Sequence, residues 1–180
     1  MQKHIAAKLA FGLIAALLVI CPAAYDRKRG NETAHISEAR LQQLEDRAAI
    51  SQLIMDYGRF LDQRDWDSFS RLFAEKDGEW IGGMGSAKGS AGIRKLMVET
   101  IGAKTSTSSF PNYHIFTNQT INLDGDRATA TTKWMFIVQG MEKRPQIALL
   151  GHYEDSLIRE NGRWKFLRRV VHSDIPEDRH

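Results

Sequence analysis

Apolar side chains return every third or fourth residue from Ser37 to about Leu61, at Leu41, Leu44, Ala48, Leu53, Ile54, Tyr57 and Leu61, with Glu, Gln and Arg between them. That period predicts an amphipathic helix, with Ser37 as its N-cap ahead of Glu38. Gly58 weakens the helix locally without ending it. Asp65-Trp66-Asp67 opens a second, short helix that shows Trp66, Phe69, Leu72 and Phe73 on one side and stops at Asp77-Gly78. Glu79 to Met84 reads as a short strand running into Gly82, Gly83 and Gly85, and Ser90 caps a third helix carrying Ile93, Leu96, Met97 and Ile101. The pattern then changes to period two. Turns at Asp124-Gly125, Gly140 to Pro145 and Asn161-Gly162 divide it into four strands of an antiparallel meander. Helices first and strands afterwards define an α+β class, with the helices packed on one face of a curved sheet.

Alternation assigns side chains to faces. His114, Phe116 and Asn118 share one side of the first meander strand, and Trp134, Phe136 and Val138 one side of the second. Tyr153 and Asp155 lie opposite His152 and Glu154 on the third. On the last, Lys165, Leu167, Arg169 and Val171 separate from Trp164, Phe166, Arg168 and Val170.

A chain of 180 residues allows one domain of ordinary size. Its first 23 residues read as an export signal: Lys3 and Lys8 precede a charge-free apolar stretch from Leu9 to Ile20, and Cys21-Pro22-Ala23-Ala24 offers small residues for cleavage. An uncleaved N-terminal membrane anchor is the alternative, and lipidation at Cys21 is disfavoured by the bulky Ile20 before it. Residues 24–36 read as a flexible arm. The chain is therefore expected to be exported, periplasmic or secreted, and after cleavage to hold no cysteine, so that its stability comes from the core and not from disulfides. Removing the signal also takes two lysines from 25 basic residues and leaves 23 against 22 acidic ones, which withdraws the support for nucleic-acid binding.

Three residues carry candidate chemistry. Tyr57 and Asp62 stand five residues apart at the end of the first helix, and His114 lies in the run Asn112 to Asn118. A carboxylate that fixes one imidazole nitrogen leaves the other free to take a proton from carbon, and a nearby phenol can stabilise or protonate what remains. The glycines at 82, 83, 85 and 89 match neither a phosphate-binding loop nor a dinucleotide fingerprint. His152, Glu154 and His172 have no defined metal-ligand spacing in the sequence, so the expectation is a chemistry with neither metal nor cofactor.

The order of elements, the phrase Leu44-Glu45-Asp46-Arg47-Ala48-Ala49-Ile50, the run Tyr57 to Asp62 followed by Asp65-Trp66, the stretch His114 to Asn118 and Gly162-Arg163-Trp164-Lys165-Phe166 resemble the SnoaL-like branch of the nuclear transport factor 2-like superfamily. The resemblance runs from about Leu41 to Val171. It is nearest to the group of scytalone dehydratase, bile-acid dehydratase and hexachlorocyclohexane dehydrochlorinase. It implies a SnoaL-like domain over 37–175 with a short tail at 176–180, folded as a cone-shaped α+β barrel whose bent sheet is closed by the helices. Carried over, Asp62 and His114 match the family's aspartate and proton-abstracting histidine. Tyr57 takes the place of a catalytic tyrosine, Arg169 that of an arginine assisting the leaving group, and Tyr153 that of an aromatic pocket residue. Val138 or a near neighbour replaces a second pocket aspartate, which implies a more apolar pocket walled also by Trp134 and Phe136.

Arg169 follows Arg168 on one strand, so one of them points inward, and a buried arginine needs an acidic partner or an anionic ligand. The function expected is a cofactor-independent, dehydratase-like lyase acting on a small hydrophobic or aromatic substrate. An isomerase or cyclase working through an enolate, and a non-catalytic binding or assembly module, are the alternatives. A homodimer or homotrimer is expected if Trp164, Phe166 and Val170 form an outer apolar face.

Overall fold

A computed structural model describes residues 22–103 and 111–176, with side chains from Ala34 onward. The chain divides into two compact units, Met1–Arg40 and Leu41–His180. In the first, the described residues are helical and form the opening of helix α1, Pro22–Gln63. The stretch 24–36 is helical, and Ser37 lies inside α1 instead of capping it. No proline interrupts α1 after Pro22. The export signal read at 1–23 lies outside the described residues except for Pro22 and Ala23. Among the described residues, no helix is long and apolar enough to cross a membrane.

Within Leu41–His180, α1 buries Ile50, Leu53, Ile54 and Tyr57, whereas Leu41 and Leu44 face solvent. Helix α2, Trp66–Ser70, is capped by Asp65, whose carboxylate accepts the Ser68 N–H at 3.1 Å. Strands β1 (Glu79–Gly82) and β2 (Gly85–Lys88) form a hairpin where the sequence pattern suggests a single strand, and α3 follows at Gly89–Thr100. The predicted meander is β3 (Tyr113–Asp124), β4 (Arg127–Gln139), β5 (Pro145–Glu160) and β6 (Arg163–Ile175), each antiparallel to the next. Strand β1 pairs parallel to β6, giving a mixed sheet in the order β2-β1-β6-β5-β4-β3. The edges β2 and β3 do not join, so the sheet curls round the helices without closing.

Bulges change the facing of side chains along three strands. In β3 the register slips between Thr117 and Thr120, and Asn118 takes φ of 50° there. Asn118 is therefore exposed, not on the face of His114 and Phe116. In β6 the partners Arg168 and Phe166 of Ser156 and Leu157 leave Leu167 as an extra residue. Trp164 and Phe166 consequently point into the core with Arg169, and not onto the outer face where strict alternation places them.

Helix α1 lies unusually close to β3 at one point. A Cβ on Gly58 would stand 2.6 Å from the Phe116 ring and 3.4 Å from the His114 Cβ. The missing side chain lets the helix descend onto the strand just before Asp62. We expect Gly58→Val to destabilise the protein by about 1–3 kcal/mol through overpacking. Urea unfolding checks this, and an unchanged midpoint would show that the contact is loose.

At the other end of the same helix segment, Asp46 accepts hydrogen bonds from Arg159 at 2.7 Å, Trp164 Nε1 at 3.1 Å and Gln42 at 3.2 Å. Burial pushes its carboxyl up, but these three donors and the Arg159 charge outweigh that and hold it below the usual range. A carboxyl lowered in the folded state stabilises the fold above its unfolded value, and that stability is lost as pH falls through the folded value. We expect Arg159→Ala to unfold at higher pH than wild type in acid titrations followed by circular dichroism, and coincident curves would remove Arg159 from this role.

Candidate active site

Asp62, in the last turn of α1, and His114, at the start of β3, meet across 52 residues of chain. His114 Nδ1 lies 2.6 Å from Asp62 Oδ1, and the His114 backbone N–H donates to Oδ2 at 2.9 Å. Asn112 Nδ2 donates to Oδ1 at 2.7 Å. Because a carboxylate so placed only accepts, the hydrogen-bond network assigns the imidazole proton to Nδ1 and leaves the Nε2 lone pair uncommitted. No hydrogen bond among the described residues engages Nε2.

The His114 ring is one wall of a cavity of about 360 Å³. Phe136 packs on it at 4.7 Å between centroids, with Trp134 at 6.4 Å and Tyr153 stacked on Trp134 at 5.7 Å. Gly151 makes room for that indole, since a Cβ there would come within 2.4 Å of it. Leu61, Met84, Ile101, Leu149 and Val171 complete a mostly apolar lining to which Tyr57, Trp80, Gly83 and Ser173 also contribute. Asp62 stands behind His114, outside the lining.

Tyr57 reaches the cavity with its phenol oriented. Trp80 Nε1–H donates to Tyr57 Oη at 2.9 Å, which leaves the phenolic proton free to be given elsewhere. Burial raises the Tyr57 hydroxyl above its ordinary value against the opposing pull of Arg169, and burial raises Tyr153 further. Both are therefore neutral donors near pH 7.

Two expected site residues are elsewhere. Arg169 points inward as one of the arginine pair must, but it is fully buried and does not line the cavity. Its Nε and Nη2 donate to Asp155 Oδ1 and Oδ2 at 2.7 and 2.6 Å, and its guanidinium lies 4.0–4.1 Å from the ring centres of Tyr57, Tyr153 and Phe166. Burial works against its charge, and Asp155 more than compensates, raising it. Its guanidinium lies against the two tyrosine rings that line the cavity. Val138 also misses the cavity. It lies past the point where β5 carries Ala148 as an extra residue between the partners of Phe136 and Ile137, and it lines a separate depression with Pro111, Tyr113 and Ile137. Asn112 and Trp80, which fix Asp62 and Tyr57, were not singled out from the sequence, because their partners are fixed only by the tertiary fold.

Helices packed against a six-stranded mixed sheet that is curled but not closed define the nuclear transport factor 2-like, cystatin-like α+β class. The chain belongs to the SnoaL-like domain family, which matches residues 42–170. It is 29% identical over 133 residues to "Uncharacterized protein Rv2910c" of Mycobacterium tuberculosis, covering 71% of this chain and 85% of that protein. An ntf2-like protein with a cystatin-like fold from Novosphingobium aromaticivorans superposes with TM-score 0.65 at 28% identity, covering 74% of this chain and 85% of that one. The "Putative Scytalone Dehydratase" of the same bacterium gives TM-score 0.59 at 26% identity over 73% and 85%.

Removing half of the buried ion pair should leave an uncompensated charge in the core. We expect Asp155→Ala to cost about 3–5 kcal/mol, read from chemical denaturation. A loss below 1 kcal/mol would mean that the aromatic rings alone hold Arg169.

Proposed function

We propose that this protein is a lyase that eliminates water or a similar leaving group from a small hydrophobic or aromatic substrate, with the base supplied by its own side chains. The observation that carries the reading is the 2.6 Å contact between Asp62 and His114 at the wall of an apolar cavity. In the proposed reaction His114 Nε2 takes a proton from a substrate carbon. Asp62 holds the imidazole in the required tautomer and balances the imidazolium that forms. The electron pair left on carbon becomes the new double bond as the leaving group departs from its neighbour. Tyr57, whose oxygen already accepts from Trp80, donates its proton toward the departing or developing oxygen.

The aromatic walls suit a flat or cyclic substrate, and the cavity volume suits one of modest size. Membership of the SnoaL-like family and similarity to the dehydratase-named neighbour support elimination over other uses of the fold.

The test is a screen of hydroxylated and halogenated cyclic compounds, followed by the rise in absorbance of the conjugated product and by its mass. We expect turnover with loss of water or halide, and a fall of about 10²–10⁴-fold in both His114→Ala and Asp62→Asn while their circular dichroism stays native. A product of unchanged mass would replace elimination with isomerisation through the same base. Full activity in either variant would falsify the dyad, and tight binding without turnover would make the protein a binding module.

A further inference from the structure

The outer face of the β5–β6 ladder carries a second set of histidines and carboxylates, opposite the face that lines the cavity. His152 and His172 are direct cross-strand partners, and their rings stack at 4.4 Å between centroids with planes 10° apart. Glu154, two residues along β5 on the same face, brings Oε2 to 3.4 Å from His172 Nε2. Asp174 is the extra residue of a bulge, between the Ser173 and Ile175 partners of Gly151 and Leu150. It places Oδ1 2.8 Å from His152 Nδ1. One ligand atom each from His152, Glu154 and His172 lies within 4.8 Å of the other two.

We propose that this cluster is a binding site for a divalent late first-row metal ion such as zinc, ligated by His152, His172 and Glu154. Imidazole nitrogens with one carboxylate form a borderline donor set that suits zinc, nickel, copper or cobalt and not magnesium or calcium. Donors roughly 2.0–2.2 Å from such an ion stand about 3.3–4.3 Å apart, and because each imidazole lone pair lies in its ring plane, the two stacked rings tilt toward one another to share the ion. Asp174 engages His152 at Nδ1, which leaves Nε2 as the nitrogen available to an ion, the usual arrangement of a carboxylate that orients a metal-bound histidine. His172 Nε2 is already shielded from solvent and has no hydrogen-bond partner, so coordination satisfies an otherwise unmet buried nitrogen.

All three ligand side chains are partly exposed on the outer face of the sheet, so the shielded His172 Nε2 is uncovered by side-chain movement at the surface and not by opening the core. Sequence spacing hides the site because its ligands pair across strands and not along one. The ion would tie β5 to β6 behind Val171 and Ser173, which line the cavity on the other face. Its place is structural reinforcement of that wall, separate from the Asp62–His114 pair.

The test is calorimetric titration of the tag-free full chain, stripped with EDTA, against zinc chloride, with cobalt absorbance as a second readout. The expected result is one ion per chain in wild type, with affinity reduced at least tenfold in His152→Gln, His172→Gln and Glu154→Gln. Asp174→Asn, a milder change beside a ligand, should weaken binding by about 10–100-fold. His114→Ala should bind as wild type does, which separates this site from the cavity. Absence of binding in wild type, unchanged affinity in the His152 and His172 variants, or loss in His114→Ala alone would each overturn the assignment. Native circular dichroism in the variants is the control for folding.

Discussion

The core is organised around a charge that has nowhere else to go. Arg169 has no solvent exposure, and an isolated guanidinium in such a place is unstable by many kcal/mol. Two hydrogen bonds to Asp155 neutralise it, and three aromatic faces occupy the directions that water would otherwise fill. Those rings come from α1, β5 and β6, so the guanidinium ties the helix to the sheet, with only its Nη1 left without a hydrogen-bond partner among the described residues. Two of them, Tyr57 and Tyr153, also face the cavity. The position of the proposed acid is therefore set by the electrostatics of the core beneath it, a stronger constraint than loop packing gives.

The second constraint is curvature. A flat six-stranded sheet would leave His114 on β3 and Val171 on β6 far apart, whereas here they share one cavity. Bulges in β3, in β5 opposite β4, and at two points of the β5–β6 ladder supply the bending. Each bulge also resets which residues point inward, and this governs what alternation reveals. His114 with Phe116, Trp134 with Phe136, and Tyr153 with Asp155 were legible because each pair lies within an unbroken stretch. Asn118, Val138, Trp164 and Phe166 were misplaced because each lies across a bulge from the residues used to define its face. A bulge is one residue of slack, and in β6 it falls at Leu167, which has no conformational mark in the sequence.

The site was legible to a similar degree and for a similar reason. Asp62 and His114 stood out by residue type and by resemblance, and the structure brings them together through the close approach at Gly58. Sequence reasoning treated Gly58 only as a weak point of the helix, because what it touches is on a strand more than fifty residues away. Asn112 and Trp80 escaped for the same reason. An inward Arg169 was expected to need an acid or an anionic ligand, and the structure supplies the acid, Asp155, from the neighbouring strand.

The contrast between the two histidine clusters shows how far environment decides what identical residues do. His114 is a single imidazole held by one carboxylate at the wall of an apolar cavity, and none of the other described residues lining that cavity is a histidine, cysteine or carboxylate. An ion there would find too few donors, and a proton on carbon is the reactant that such a lone pair suits. His152 and His172 lie on the opposite side of the same sheet, stacked together with Glu154 and Asp174 within reach. A single dication satisfies both nitrogens and Glu154 at once. One sheet thus presents a proton-transfer geometry on its enclosed face and a coordination geometry on its open face, and the difference lies in the number of converging donors and not in the kind of residue.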